Sequence, residues 1–226
     1  MMIIQLFILQ IQEVLPEGNG TLSLLTLLTK GGYMMIPLVL LWIAAIYIFF
    51  ERILVIRHAS KTPENFQNDI RSKVHLGLIN EAKLICSEVD TPIARMIEKG
   101  ILKIGSSMNT IEASIENIGK IELNKLEKNL SLLATISGAA PMIGFLGTVT
   151  GMIQAFIAIA QEEGAVSPKL LSSGIYEAMI TTAAGLFVGI IAYLGYNYLV
   201  TRVQKLVHNM EFMSIDFIEL LQEPKK

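Results

Sequence analysis

Three long apolar stretches constrain this 226-residue chain more than any other feature. From Gly32 to Phe50 there is no charged side chain, and the stretch carries Trp42 and Tyr47 before ending abruptly at Glu51-Arg52. A second runs charge-free from Leu130 to Ala160, longer than one bilayer crossing needs, so it should tilt or protrude at one end. The third runs from Gly174 to Val200. About 20 apolar residues cross a hydrocarbon core as a helix, which satisfies every backbone polar group within its own segment. The chain therefore reads as an all-α membrane protein with three transmembrane helices. Its 52% hydrophobic and 17% charged residues also set it outside the ordinary soluble class.

Positive side chains near a span resist translocation, and their distribution sets an orientation. Arg52, Arg57, Lys125 and Lys128 flank the connection between the first two spans, which also holds Lys61, Arg71, Lys73, Lys83, Arg95, Lys99, Lys103 and Lys120. Lys30 alone precedes the first span, Lys169 alone lies between the second and third, and the tail adds Arg202, Lys205, Lys225 and Lys226. The N-terminus is thus expected outside and the C-terminus inside. The expected segments are an N-terminal piece over 1–31, spans over 32–50, 130–160 and 174–200, a cytoplasmic helical domain over 51–129, an outer loop over 161–173 and a cytoplasmic C-terminal helix over 201–226. The opening Met1–Gln12 is apolar but short and glutamine-rich, and it lacks a basic leader and a small-residue cleavage pattern. It reads as an interfacial amphipathic helix, an uncleaved or atypical targeting segment being the alternative.

The inner segments carry helix signals throughout. Thr62-Pro63-Glu64 and Thr91-Pro92 each offer a hydroxyl cap followed by a proline, whose missing N–H is harmless in a first turn. Asn109 with Glu112 resembles a capping box and opens a stripe of Ile111, Ile115, Ile118, Leu123, Leu126 and Leu130. No Gly-Pro break intervenes before Pro141, so that helix should run straight into span two. Glu116 and Lys120 sit at i, i+4 as a solvated pair. Past Val200 the spacing of Val203, Leu206, Val207, Met210, Phe217 and Leu220 extends span three as an amphipathic helix packed on its inner neighbours or on another subunit.

Several chemistries find no support. The single cysteine, Cys86, excludes an intrachain disulfide and a cysteine metal cluster and reads as a small apolar helix residue. A net charge of −2, with no basic block interleaved with aromatics, gives no reason to expect nucleic acid. There is no Gly-rich phosphate loop or nucleophile elbow, and His58, His75 and His208 are scattered outside the spans. Neither an enzyme nor a bound cofactor or metal is expected.

Within the spans, glycine and threonine dominate the polar content. Gly144, Gly147, Thr148 and Gly151 mark span two, with Gly147 and Gly151 a small-xxx-small pair. On span three, Ala178, Thr182, Gly185 and Gly189 form a small-residue strip beside a face of Glu177, Thr181, Ala184, Gly185 and Val188. Such strips let helices approach closely, and packing alone would account for the glycines. Pro141 frees the carbonyl of Ser137 and should bend span two. Glu177 is the one acid in spans two and three, which hold no base. Lipid depth penalises an ionised carboxyl, so such a group is suited to taking up and releasing protons as water or a cation arrives. The other reading is a carboxylate at the outer interface that caps the helix start after Ser172-Ser173.

Leu132–Met152 and Gly174–Leu186, the latter closing with Tyr196-Asn197-Tyr198, resemble the MotA/TolQ/ExbB proton-channel family, most closely its ExbB branch. The resemblance extends to Phe49-Phe50-Glu51-Arg52 and, by layout, to the inner region, but not to the first thirty or so residues. It implies a homo-oligomeric ring, a pentamer, in a bacterial inner membrane, enclosing an ExbD-like or TolR-like single-span subunit. Thr148, Glu177 and Thr182 would line the pore, with Thr181 beside them, while Gly144, Gly147, Gly151, Gly185 and Gly189 pack the helices. Proton flow would move the partner, and a TonB-like protein would carry the motion to outer-membrane transport. Three spans differ from the four of MotA. A TolQ-type role in envelope constriction and a passive membrane scaffold are the alternatives.

Overall fold

In a computed structural model of the chain, residues 31–63, 65–161 and 168–222 are described, and they contain helices and turns only. The helices are α1 (Met35–Ala59), α2 (Phe66–His75), α3 (Ile79–Val89), α4 (Pro92–Ile101), α5 (Met108–Glu127), α6 (Leu130–Gln161) and α7 (Pro168–Gln222). The N-terminal amphipathic reading, Glu64 and residues 162–167 of the expected 161–173 loop lie outside the described residues, while residues 168–173 of that loop are already the first turns of α7. Among the described residues, three helical stretches are long and apolar enough to cross a membrane, and they begin at Met35, Met108 and Gly174.

α6 and α7 form an antiparallel pair, with Gly144 against Gly185 near its middle and Ala155 against Gly174 near the end where α7 begins. α1 packs against both, placing Phe49 on Gly195 of α7. The apolar side chains that these helices turn outward, such as Met142 at 74% exposure, Tyr47, Phe145, Met179 and Leu194, need lipid or another chain to cover them.

α7 is continuous over 55 residues, about 80 Å at the usual helical rise. Its C-terminal half buries Val203, Leu206, Met210, Phe217 and Leu220, as the sequence spacing predicts, against α2, α4 and α5. Phe66 and Ile70 of α2 and Ile93, Ile97 and Ile101 of α4 belong to the same core. Ile111, Ile115 and Leu126 of the expected α5 stripe are buried, and Lys120 pairs with Glu116 at 2.7 Å on its exposed side.

Four local expectations meet different fates. Thr91 caps α4 by accepting the Ala94 N–H at 3.3 Å, with Pro92 in the first turn. The Thr62 start is displaced, because α2 begins at Phe66 and the Thr62 hydroxyl donates to Thr91 at 3.5 Å. Asn109 is no cap either: α5 begins at Met108, and Ser107 precedes it with its hydroxyl 2.8 Å from that of Thr110. Nor does α5 run unbroken into α6. Lys128 is extended and Asn129 takes a φ of +64°, a left-handed conformation that asparagine tolerates better than most residues.

A partly buried ionic network ties the C-terminal end of α1 to α4 and α5. Glu122, 3% exposed, accepts from Arg95 at 2.7 Å and from Lys125 at 2.7 Å. Burial pushes its carboxyl up, but the hydrogen bonds from Arg95 and Lys125 outweigh burial and hold it below the ordinary carboxylate value. Arg52, 4% exposed, pairs with Glu51 and donates to the Lys125 carbonyl at 3.0 Å. Burial pushes the Cys86 thiol up to about 12, with the nearby Glu98 charge adding to it.

Candidate functional site

The contact between α6 and α7 is built from residues with little or no side chain. A methyl added at Gly185 would lie 2.6 Å from the Ala140 carbonyl oxygen and 2.8 Å from the Gly144 Cα. One added at Gly144 would lie 2.9 Å from the Thr181 carbonyl, and one at Gly147 would lie 2.7 Å from the Thr181 Cβ. Gly151 faces Ala178, and Gly189 faces the Pro141 ring and the Ser137 carbonyl. α6 passes through Pro141 as one helix. The carbonyl that proline strips of its helical donor thus meets α7 at a glycine. Gly174 makes the same close approach to Ala155, an extension of the small-residue strip by one turn that a wider window on the sequence would have included.

Two separate polar groups flank this seam. On one margin the Thr148 and Thr182 hydroxyls are hydrogen-bonded to each other, and Thr182 donates to the Gly144 carbonyl at 3.1 Å. On the other, Glu177 lines a narrow crevice with Thr150, Gln154 and Tyr33. Helical geometry explains the split, since at about 100° per residue Glu177 and Thr182 are about 140° apart around α7, with Ala178, Thr181 and Gly185 between them. One protomer therefore pairs Thr148 with Thr182 and sets Glu177 apart from both. Thr181 is 1% exposed and lines the same crevice as Glu177. Its hydroxyl donates back to the Glu177 and Ala178 carbonyls at 2.9 and 3.0 Å, and its Cβ, hydroxyl oxygen and methyl all lie over Gly147. In this protomer it is a packing residue.

Glu177 is half-buried and lies more than two turns beyond Pro168, too far along α7 to cap its start. Its carboxyl meets the turn that leads into α1, close against the Gly32 backbone, and has no ion-pair partner among the described residues. Thr150, Gln154 and Tyr33 were not singled out in the sequence. The first two recur at i, i+4 on one edge of span two, which was the available signal; Tyr33 arrives from a different span. Such a margin sets a carboxyl among hydroxyl and amide groups at the edge of a close-packed glycine seam, and a carboxyl so placed can take up or release a proton.

Comparison with known proteins gives a consistent picture. The sequence model of the MotA/TolQ/ExbB proton channel family matches residues 88–212. A putative biopolymer transport protein ExbB homolog of Methanothermobacter thermautotrophicus is 27% identical over 201 residues, covering 88% of this chain and 70% of that protein. A biopolymer transport protein ExbB-like 1 of Synechocystis is 32% identical over 174 residues, covering 76% and 68%. The Tol-Pal system protein TolQ of Haemophilus influenzae is 42% identical over 82 residues, 36% of each chain.

Proposed function

Because this membrane protein belongs to the MotA/TolQ/ExbB proton channel family, we propose that it is the ExbB-type subunit of a transducer driven by the proton-motive force. Copies assemble as a ring, a pentamer by family resemblance, in a bacterial inner membrane, with the N-terminus outside and the C-terminus inside. The ring encloses an ExbD-like or TolR-like single-span subunit, whose proton-driven motion reaches a TonB-like protein and powers outer-membrane transport.

The observation that carries this reading is the half-buried Glu177 carboxyl on one margin of a seam whose other margin holds the Thr148–Thr182 pair. Closed rings join unlike faces of neighbouring copies, so each interface would bring the Glu177 margin of one subunit toward the Thr148–Thr182 margin of the next. Spans two and three hold a single acid and no base, too few groups for a self-sufficient path. A titratable group on the enclosed subunit would complete it.

Glu177→Gln keeps the size and hydrogen bonding of the side chain while removing its proton. In membranes containing the partner subunit, this variant is expected to assemble normally and to lose proton-driven transport. Undiminished transport would refute the role given to Glu177. A TolQ-type role in envelope constriction is the second reading, favoured by the 42% identity to a TolQ protein over 82 residues. Expression in strains lacking either ExbB or TolQ separates the two: restored energised uptake supports the first, and restored envelope integrity supports the second.

A further inference from the structure

We propose that the Gly31-Gly32 turn entering α1 is a seat that positions the Glu177 carboxyl, so that span one sets the geometry of the proton site as well as anchoring the subunit. The inference rests on Glu177 being that site. Gly32 has a φ of +65°, and a Cβ there would overlap Glu177 Oε1 outright and lie 2.9 Å from its Cδ. No residue but glycine leaves the carboxyl where it is. Gly31 is pinched as well, since a methyl on it would meet Met35 Cγ at 2.5 Å and Ile180 Cγ2 at 3.2 Å. Ile180 lies one turn along α7 from Glu177, so consecutive glycines rest on the same stretch of that helix. Tyr33, Thr150 and Gln154 bring polar groups to the crevice, which Met34, Gly147, Gly151 and Thr181 also line, and the Gly32 main chain backs the carboxyl. A glutamate has three rotatable bonds. Proton exchange with a passing group needs its oxygen held within hydrogen-bond reach, about 2.6–3.2 Å, and a rigid wall behind it supplies that constraint.

The test is a double-mutant cycle in the assembled complex with its partner, in sealed vesicles, with two readouts. One is proton flux against pH. The other is the rate at which a membrane-soluble carbodiimide, dicyclohexylcarbodiimide, modifies the carboxyl at position 177, a chemistry that does not depend on turnover. Gly32→Ala should slow labelling and flux by about tenfold, the scale of a displaced polar contact. Glu177→Asp withdraws the carboxyl by about 1.5 Å, one methylene, so adding Gly32→Ala in that background should change labelling less than about twofold. Gly32→Asn accepts the left-handed φ while filling the same space, and it should behave like Gly32→Ala.

An equal loss in both backgrounds, or wild-type behaviour of Gly32→Asn, would assign the effect to backbone strain and overturn the seat. Failure of the underlying reading looks different: Glu177→Gln would then keep full flux whatever the cycle shows. If Glu177→Gln abolishes flux and the cycle is additive, only the seat falls.

Discussion

The same chemical change, glycine to alanine, should have opposite signs at two positions on the membrane helices. In helix interiors alanine is favoured over glycine by about 1 kcal/mol, because glycine loses more backbone freedom on folding. Gly138 on α6 is exposed, with nothing within 4 Å of the place a methyl would take, so Gly138→Ala should gain most of that amount. Gly185→Ala places its methyl 2.6 Å from the Ala140 carbonyl oxygen and 2.8 Å from the Gly144 Cα. Both are backbone atoms, which cannot rotate aside, so relief requires α6 and α7 to separate. Overpacking of this kind costs about 1–3 kcal/mol, and backbone neighbours put it at the upper end. Net destabilisation should be about 2 kcal/mol after the propensity gain, a spread of about 3 kcal/mol between the two variants. At about 2–4 °C per kcal/mol for a chain of this size, the melting temperatures should differ by roughly 6–12 °C. Thermal melting of the purified protein in a mild detergent measures this. Equal shifts in the same direction, or a stabilising Gly185→Ala, would refute the claim that close backbone contact holds the seam.

Other outcomes follow from the inner helices. Glu122→Gln should destabilise by about 2 kcal/mol, the scale of lost hydrogen bonds to charged groups, and denaturant melts at pH 7 read it. The Glu122 carboxyl is held below its ordinary value, so its stabilisation is full above the unfolded value of 4.5 and is lost as pH falls through the lower folded value. Acid melts should show this loss in the wild type and a flatter profile in Glu122→Gln. Cys86, buried and with a thiol pushed up to about 12, should react with iodoacetamide at pH 8 at least about a hundredfold more slowly in the folded protein than in denaturant. Thr91→Ala removes the α4 cap and should cost about 1 kcal/mol, measurable in the same melts.

Long-period features were legible in the sequence because composition alone specifies them. A run such as Leu130–Ala160 has few alternatives to a buried or membrane helix, and the Val203-to-Leu220 spacing extends α7 whatever its neighbours do. The glycine strip was legible too, since close helix approach needs small residues at fixed spacing. Local starts and stops were not. Asn109 and Thr62 each carry the side chain of a cap, but the burial of Ile111 and Phe66 settles where α5 and α2 begin, and a cap contributes too little to override it. Asn129 carries no signal that separates a helical residue from a left-handed one. Contacts between distant segments were the least accessible. Glu122 lies four residues before Leu126 on the buried side of α5, but the sequence reading did not single it out, and nothing named Arg95 as its partner. The Gly32 turn against Glu177 joins the first span to the third, and only the packed helices reveal it.

The stiffness of the seam bears on where motion can occur. One proton crossing a potential of roughly 100 mV releases about 2.3 kcal/mol. Sliding α6 along α7 would drive Gly144, Gly147, Gly151 and Gly185 out of register with the backbone and methyl groups they accept, and each misfit costs about 1–3 kcal/mol. Several such contacts disturbed together exceed what one proton delivers. The Glu177 margin, with an open crevice on one side, carries no such penalty for a group that approaches and leaves. Under the proposed function, a proton taken up there would displace a neighbour lying against the margin far more readily than it would deform the pair of helices that presents it. Under that function, the same inequality would place the moving element outside the α6–α7 pair, with the seam as the fixed frame against which a partner is pushed.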